Sequence, residues 1–128
     1  MLSCMAQSQT RPAKVLLVED DAVSDRIVAS SLERRGFEVV HAKNAAEAIA
    51  ILQKNQDIAV VFSDVMMPGE IDGAGLQAWL SANRPGLPVI LGSANAAKAK
   101  ASSHEEFRFF TKPYNMNAVA ACIRTLIR

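Results

Sequence analysis

Short apolar runs recur along this chain, each separated from the next by a longer amphipathic stretch. The runs stand at Val15–Val18, Val39–Val40, Ile58–Phe62, Val89–Leu91 and Phe107–Phe110. Each is too short for a core helix and right for a strand, and near-continuous hydrophobicity is the pattern of parallel strands buried on both faces. The intervening stretches carry apolar residues at helical spacing: Val23, Ile27, Val28 and Leu32, then Ala45, Ala48, Ile49 and Leu52, then Leu76, Trp79 and Leu80. A weak fourth pattern covers Ala94–Ser102, and Met116, Val119, Ala120, Ile123 and Ile127 form the last. Gly36 and Pro85-Gly86 punctuate the first and third helices. Strands alternating with helices in this way predict an α/β fold. It is a five-stranded parallel sheet, doubly wound as (βα)5, with helices on both faces because crossovers are right-handed.

At 128 residues the chain has room for one ordinary domain, expected over 14–128 behind a flexible tail at 1–13. A formal net charge of +1 and no long basic stripe argue against nucleic acid as a partner. Arg34-Arg35 and Lys98/Lys100 read as solvated helix faces. Cys4 and Cys122 give neither a metal spacing nor a disulfide framework, which points to a reducing, cytoplasmic setting. The leading MLSCMAQSQTRPA lacks the apolar core of a signal peptide, and no stretch approaches a membrane span. His41 and His104 have no spaced partner and are not expected to ligate a metal.

In such a sheet ligands bind beyond the carboxyl ends of the strands, where strand order reverses. Glu19, Asp20 and Asp21 follow the first run, Ser63 and Asp64 the third, Gly92, Ser93 and Ala94 the fourth, and Thr111, Lys112 and Pro113 the fifth. Singly, each has a plain structural role. The acidic triplet can cap a helix N-terminus, Asp64 a turn and Ser93 the fourth helix, and Lys112 can pair on the surface. Together they bring an acidic cluster, a lone carboxylate, a hydroxyl and a lysine to one crevice. Crowded carboxylates call for a cation, and an all-oxygen set suits Mg²⁺ or Mn²⁺ rather than zinc or copper. A cation on Asp20 and Asp64, with the Lys112 ammonium and the Ser93 hydroxyl, would surround a phosphoryl group at Asp64. That arrangement stabilises phosphoryl transfer electrostatically, with Asp64 as the nucleophile.

Four ordered blocks, V-L-L-V-E-D-D (15–21), S-D-V-M-M-P-G-E-I-D-G (63–73), P-V-I-L-G-S-A (88–94) and F-F-T-K-P-Y (109–114), resemble the receiver domain of two-component response regulators. The resemblance covers the chain from about Lys14 to its end and implies the flavodoxin-like receiver fold. It implies Asp64 as the phosphoacceptor, Asp20 as a direct metal ligand, Glu19 as a ligand through water, and the Met66 backbone carbonyl as a third ligand. Ser93 corresponds to the family's hydroxyl, Lys112 to its lysine and Phe109 to its aromatic switch residue. Lys112-Pro113 matches a step whose peptide bond is commonly cis, and the small Ala94 leaves room for a phosphoryl group. Asp21 is left as a helix cap. The implied partners are a histidine kinase or histidine phosphotransfer protein and an unknown downstream protein, with no nucleic acid and no membrane. The chain itself is expected to be a monomer or weak dimer.

Two departures from the family pattern concern surfaces rather than chemistry. The Pro68–Asp72 segment is one residue longer than the commonest version, and Ser93–Phe109 is about three residues shorter. The output face formed by the fourth helix, fifth strand and fifth helix is therefore the part least transferable from relatives. A nucleotide or flavin site would need a Gly/Ser/Thr-rich loop where the acidic triplet stands. A Mg²⁺-dependent phosphatase with an aspartyl nucleophile would carry a second aspartate at the position of Met66; without it a phosphoaspartate is expected to persist. A degenerate receiver acting only as an interaction module is the third alternative, and the complete Glu19/Asp20/Asp64/Ser93/Lys112 set argues against it.

Overall fold

The computed structural model of the chain describes residues 12–64, 73–93 and 108–127. The elements are β1 (Lys14–Val18), α1 (Ala22–Arg34), β2 (Glu38–Ala42), α2 (Ala45–Lys54), β3 (Ile58–Asp64), α3 (Gly73–Asn83), β4 (Val89–Ser93), β5 (Arg108–Thr111) and α4 (Met116–Leu126). All strand pairs are parallel and the order is β2-β1-β3-β4-β5, so the order reverses between β1 and β3. The expected parallel sheet is present. Among the described residues there are four helices, because the weak pattern at Ala94–Ser102 lies outside them.

Alternation along the strands sends side chains to two cores. Leu16, Val18, Val61, Val89 and Leu91 meet Ala45, Ala48 and Leu52 of α2 and Leu76 and Leu80 of α3. Val15, Leu17, Val60, Phe62 and Ile90 meet Val28, Ala29 and Leu32 of α1 and Val119, Ala120 and Ile123 of α4. Two helices on each face give the doubly wound arrangement. Trp79 packs partly buried against the first core, and Met116, Cys122 and Ile127 against the second.

Each helix start in the described set that shows a cap uses a short polar residue. Asp21 accepts from the Ser24 amide at the start of α1, Asn44 from Glu47 at α2 and Asn115 from Ala118 at α4. The expected role of Asp21 is therefore met, and Ser24 hydrogen bonds hold its carboxyl below the usual aspartate value. α1 ends in a Schellman turn. Gly36 has φ 94°, its N–H donates to Glu33 O at 3.1 Å, and Phe37 N–H donates to Leu32 O at 3.1 Å.

Three local expectations are corrected. Val23 and Ile27, read as part of the core stripe of the first helix, are 60% and 62% exposed. At about 100° per residue, the buried arc of Val28, Ala29, Ser31 and Leu32 centres more than about 110° from either side chain, so the sheet cannot cover both sets. Arg35 is half-buried rather than solvated. Its guanidinium donates to Ser31 Oγ at 2.6 Å and to Asn117 Oδ1 at 2.8 Å, tying α1 to α4. His41, just past the Val39–Val40 run and without a partner nearby in sequence, lies within β2 with its Nδ1 2.9 Å from the Asp25 carboxylate of α1.

Candidate functional site

The apolar drive of the strands carries the functional residues further than the runs alone indicated. β3 extends through Ser63 to Asp64 and β4 through Gly92 to Ser93, so Asp64 and Ser93 are the last residues of their strands rather than the first residues beyond them. Their backbone is thus fixed by the ladder, with Asp64 paired to Gly92 and Ser93 to Thr111. A reacting group on a strand end is better positioned than one on a loop.

Glu19, Asp20 and Asp64 converge as expected. One carboxylate oxygen from each lies within 4.8 Å of those of the other two. Glu19 and Asp64 are buried and Asp20 is exposed. The Glu19 backbone N–H donates to Ala42 O at 3.0 Å, and its Oε2 accepts from the Asp21 amide at 3.2 Å. Lys112 follows β5 and reaches across the end of β4 to its neighbours. Its Nζ donates to Asp64 Oδ2 at 2.8 Å and to Glu19 Oε1 at 3.2 Å. The Lys112 N–H also donates to Ser93 O at 2.9 Å, and the Lys112-Pro113 bond is cis, as the family step implied.

The electrostatics follow from this geometry. Burial pushes the Glu19 carboxyl above its ordinary value, even though the Asp21 amide and Lys112 pull the other way. Partial burial alone would lower the Lys112 ammonium, but the hydrogen bond and charge of Asp64, reinforced by Glu19, outweigh it and hold it above the usual lysine value. Three formal negative charges face one ammonium, which leaves two negative charges to be compensated. The donor set is all oxygen, its atoms are close enough to share one ion, and the residual charge is that of a divalent cation. The cluster therefore fits a metal such as Mg²⁺ or Mn²⁺.

Ser93 is fully buried at the end of β4, one strand from Asp64. Phe109 pairs through its backbone with Leu91 in β5, and its side chain lies outside what the structure describes. Met66, Ala94, His104 and the Pro68–Asp72 segment also fall outside the described residues. Tyr114, the last residue of F-F-T-K-P-Y and given no role by the sequence, lies against this site. Its ring centroid is 5.1 Å from that of Phe62 and 6.0 Å from Lys112 Nζ. Burial, then the charges of Asp64 and Glu19, raise its phenol above the normal tyrosine range, so it remains an un-ionised O–H. The signal that could have found it is a glycine inside a strand, Gly92, where another group must approach closely.

A recess of about 210 Å³ opens beside Glu19 and Asp20, bordered also by Asp25, His41 and Glu47. A larger hollow of about 480 Å³ lies at the opposite pole, between Leu80, Arg84, Pro88 and Leu126. The larger one contains no carboxylate and sits at the amino end of β4, away from the convergent polar groups, so the smaller recess is the one that matters to the chemistry. Among the described residues, no helix is long and apolar enough to cross a membrane.

Comparison with known proteins gives a family and a fold. A family model described as the response regulator receiver domain matches residues 15–124. The transcriptional regulatory protein GlrR of Escherichia coli (strain K12) is 33% identical over 116 residues, covering 88% of this chain and 26% of that protein. The chain thus spans about a quarter of that relative's length. The crystal structure of the receiver domain from the hybrid histidine kinase CckA superposes with a TM-score of 0.76 at 28% identity, covering 90% of this chain and 99% of that one. A response regulator protein TrrA from Thermotoga maritima, in complex with Mg(2+)-BeF, superposes with a TM-score of 0.80 at 22% identity, covering 88% and 97%.

Proposed function

The chain belongs to the response regulator receiver domain family and is a receiver domain of two-component phosphorelay signalling, and from that premise we propose that Asp64 is its phosphoacceptor. The observation that carries this reading is the Lys112 ammonium held on Asp64 Oδ2 at 2.8 Å, inside a three-carboxylate cluster that could hold a metal ion. An Asp64 oxygen attacks phosphorus, the O–P bond forms as the P–N bond of a phosphohistidine breaks, and the leaving imidazole takes up a proton. Lys112 already lies on the acceptor carboxylate, so its ammonium can follow negative charge onto the phosphoryl oxygens. Ser93, on the strand beside Asp64, supplies a hydroxyl donor.

Mg²⁺ is the metal proposed; Asp20 and Asp64 would hold it directly, Glu19 through water, and the Met66 carbonyl would complete the set. Bound there, it would neutralise charge on the phosphoryl oxygens. The placing of a Mg(2+)-BeF complex in a protein of the same fold supports this choice. Asp20→Ala is expected to weaken Mg²⁺ affinity by at least about tenfold, read by isothermal titration calorimetry; an unchanged affinity would move the metal elsewhere.

The donor is a histidine kinase or a histidine phosphotransfer protein, and the response is a coupled movement of Ser93 and Phe109 that alters the surface around β5 for a downstream protein. The domain acts as a signalling module that assists its own phosphorylation and dephosphorylation, in the cytoplasm, as a monomer or weak dimer. Incubating the protein with Mg²⁺ and acetyl phosphate should add one phosphoryl mass per chain, read by intact mass spectrometry, and chelating the metal should prevent it. A chain that stays unmodified under these conditions overturns the proposal.

A further inference from the structure

The geometry points to Gly92 and Tyr114 as a size-matched pair that positions Lys112, with the Tyr114 ring occupying the place of the side chain that residue 92 lacks. The inference deepens the reading of Asp64 and Lys112 given above.

Gly92 is the penultimate residue of β4 and the ladder partner of Asp64. By strand alternation it faces the same side as Ile90, toward α1 and α4, where Tyr114 packs. A methyl group built at Gly92 would overlap the Tyr114 phenol oxygen and lie 2.6 Å from Cζ and 2.8 Å from Cε1. Real side chains do not approach that closely, and the atoms in the way belong to a rigid ring. The ring is itself held from below by Phe62, at 5.1 Å and tilted by 59°. Tyr114 can therefore hold this position only over a glycine.

Lys112 has to cross this same strand. It starts after β5, and its ammonium ends on Asp64 of β3 and Glu19 beyond β1, so its alkyl chain passes over the end of β4. Nζ lies 6.0 Å from the Tyr114 centroid, at the edge of cation–π range. A long flexible lysine loses considerable rotamer freedom when it is held in one extended conformation. A ring filling the notch over Gly92 gives the methylene stem an apolar surface to lie on and directs the head toward the two carboxylates. Tyr114 acts through Lys112 and is thus a positioning residue.

The test reads the lysine itself, in metal-free and unphosphorylated protein. An ammonium clamped by two carboxylates gives an observable 15Nζ signal, whereas a freely moving one exchanges with water and broadens away. The Lys112 signal, assigned by its absence in Lys112→Ala, should be present in the wild type and retained in Tyr114→Phe, which keeps the ring. It should be lost in Gly92→Ala, which displaces the ring, and in Tyr114→Leu, which keeps the core filled without it. Phosphorylation by acetyl phosphate should fall by up to about a hundredfold in the two variants that lose the signal, as expected when a charged group is misplaced by an ångström or so. A signal that persists in folded Gly92→Ala and Tyr114→Leu, or is missing from the wild type, overturns the inference. Because the signal requires neither metal nor phosphoryl group, failure of Asp64 to accept a phosphoryl group would leave this result readable.

Discussion

Asp64→Asn is expected to abolish phosphoryl labelling by acetyl phosphate while the protein stays folded. The substitution keeps the volume at the end of β3 and the backbone pairing to Gly92, so the architecture around it has no cause to rearrange. What it removes is the anionic oxygen that would form the bond to phosphorus, and an amide oxygen is a far poorer nucleophile. It also removes one of the two carboxylates on which Lys112 rests, but the 3.2 Å contact with Glu19 remains to hold the ammonium. The loss should exceed about a thousandfold, the usual scale when the nucleophile itself is removed. Intact mass measured over a time course gives the rate, and a thermal melt shows whether the fold survives. Labelling that continued in a folded Asp64→Asn protein would reassign the acceptor.

The parts of this molecule that were legible beforehand are those that depend on periodicity. β1 and β3 read as near-continuous apolar runs because both of their faces are covered, and the structure covers both. The site residues were legible for a related reason: a parallel sheet delivers the ends of its strands to one edge, so Glu19, Asp20, Asp64 and Lys112 could be grouped without knowing any distance. Periodicity was not enough where a residue's partner lies far away in the chain. Val23 and Ile27 share helical spacing with Val28 and Leu32, and only the direction from which the sheet approaches decides which pair is buried. Arg35 looks like half of a charged surface pair until Asn117 is brought beside it. His41 has no neighbour in sequence, yet it meets Asp25 because β2 lies beside β1 and α1 packs over both. The Gly92 and Tyr114 pair is the extreme case, since it is defined by the shape of one residue and the missing atom of another.

Two of the three acids that could hold a metal already face a cation. Lys112 bonds to Glu19 and Asp64, and those two with Asp20 make up the set suited to a metal. A metal bound there would be a partial substitute for the lysine in balancing charge, although the ammonium is tethered and the ion would not be. This substitution makes the effect of removing the lysine unusually informative.

Lys112→Ala should destabilise the metal-free protein by about 2 kcal/mol near neutral pH, the lower end of what is lost when one member of a buried hydrogen-bonded charge pair is truncated. The lower end applies because the lysine side chain is 24% exposed, whereas those of Glu19 and Asp64 are 5% and 8% exposed. That is a sizeable share of the roughly 5 to 15 kcal/mol by which domains are stable, so the variant should fold but melt earlier. The pH dependence has a definite sign. Lys112 titrates above its unfolded value, so its contribution is complete below the ordinary lysine range of about 10.5 and the whole deficit shows at pH 7. Glu19 is raised by burial, and Lys112 is one of the influences pulling it down. Without the lysine it rises further, the folded state binds a proton more readily than the unfolded chain, and stability recovers as pH falls toward 5. The gap between variant and wild type should therefore narrow on acidification, and Mg²⁺ should narrow it at neutral pH by supplying the missing positive charge. Urea unfolding of both proteins at pH 7 and pH 5.5, each with and without Mg²⁺, measures the gap under all four conditions. A deficit indifferent to both pH and Mg²⁺ would mean that Lys112 supports the fold by packing alone, and the charge balance argued for this site would not hold.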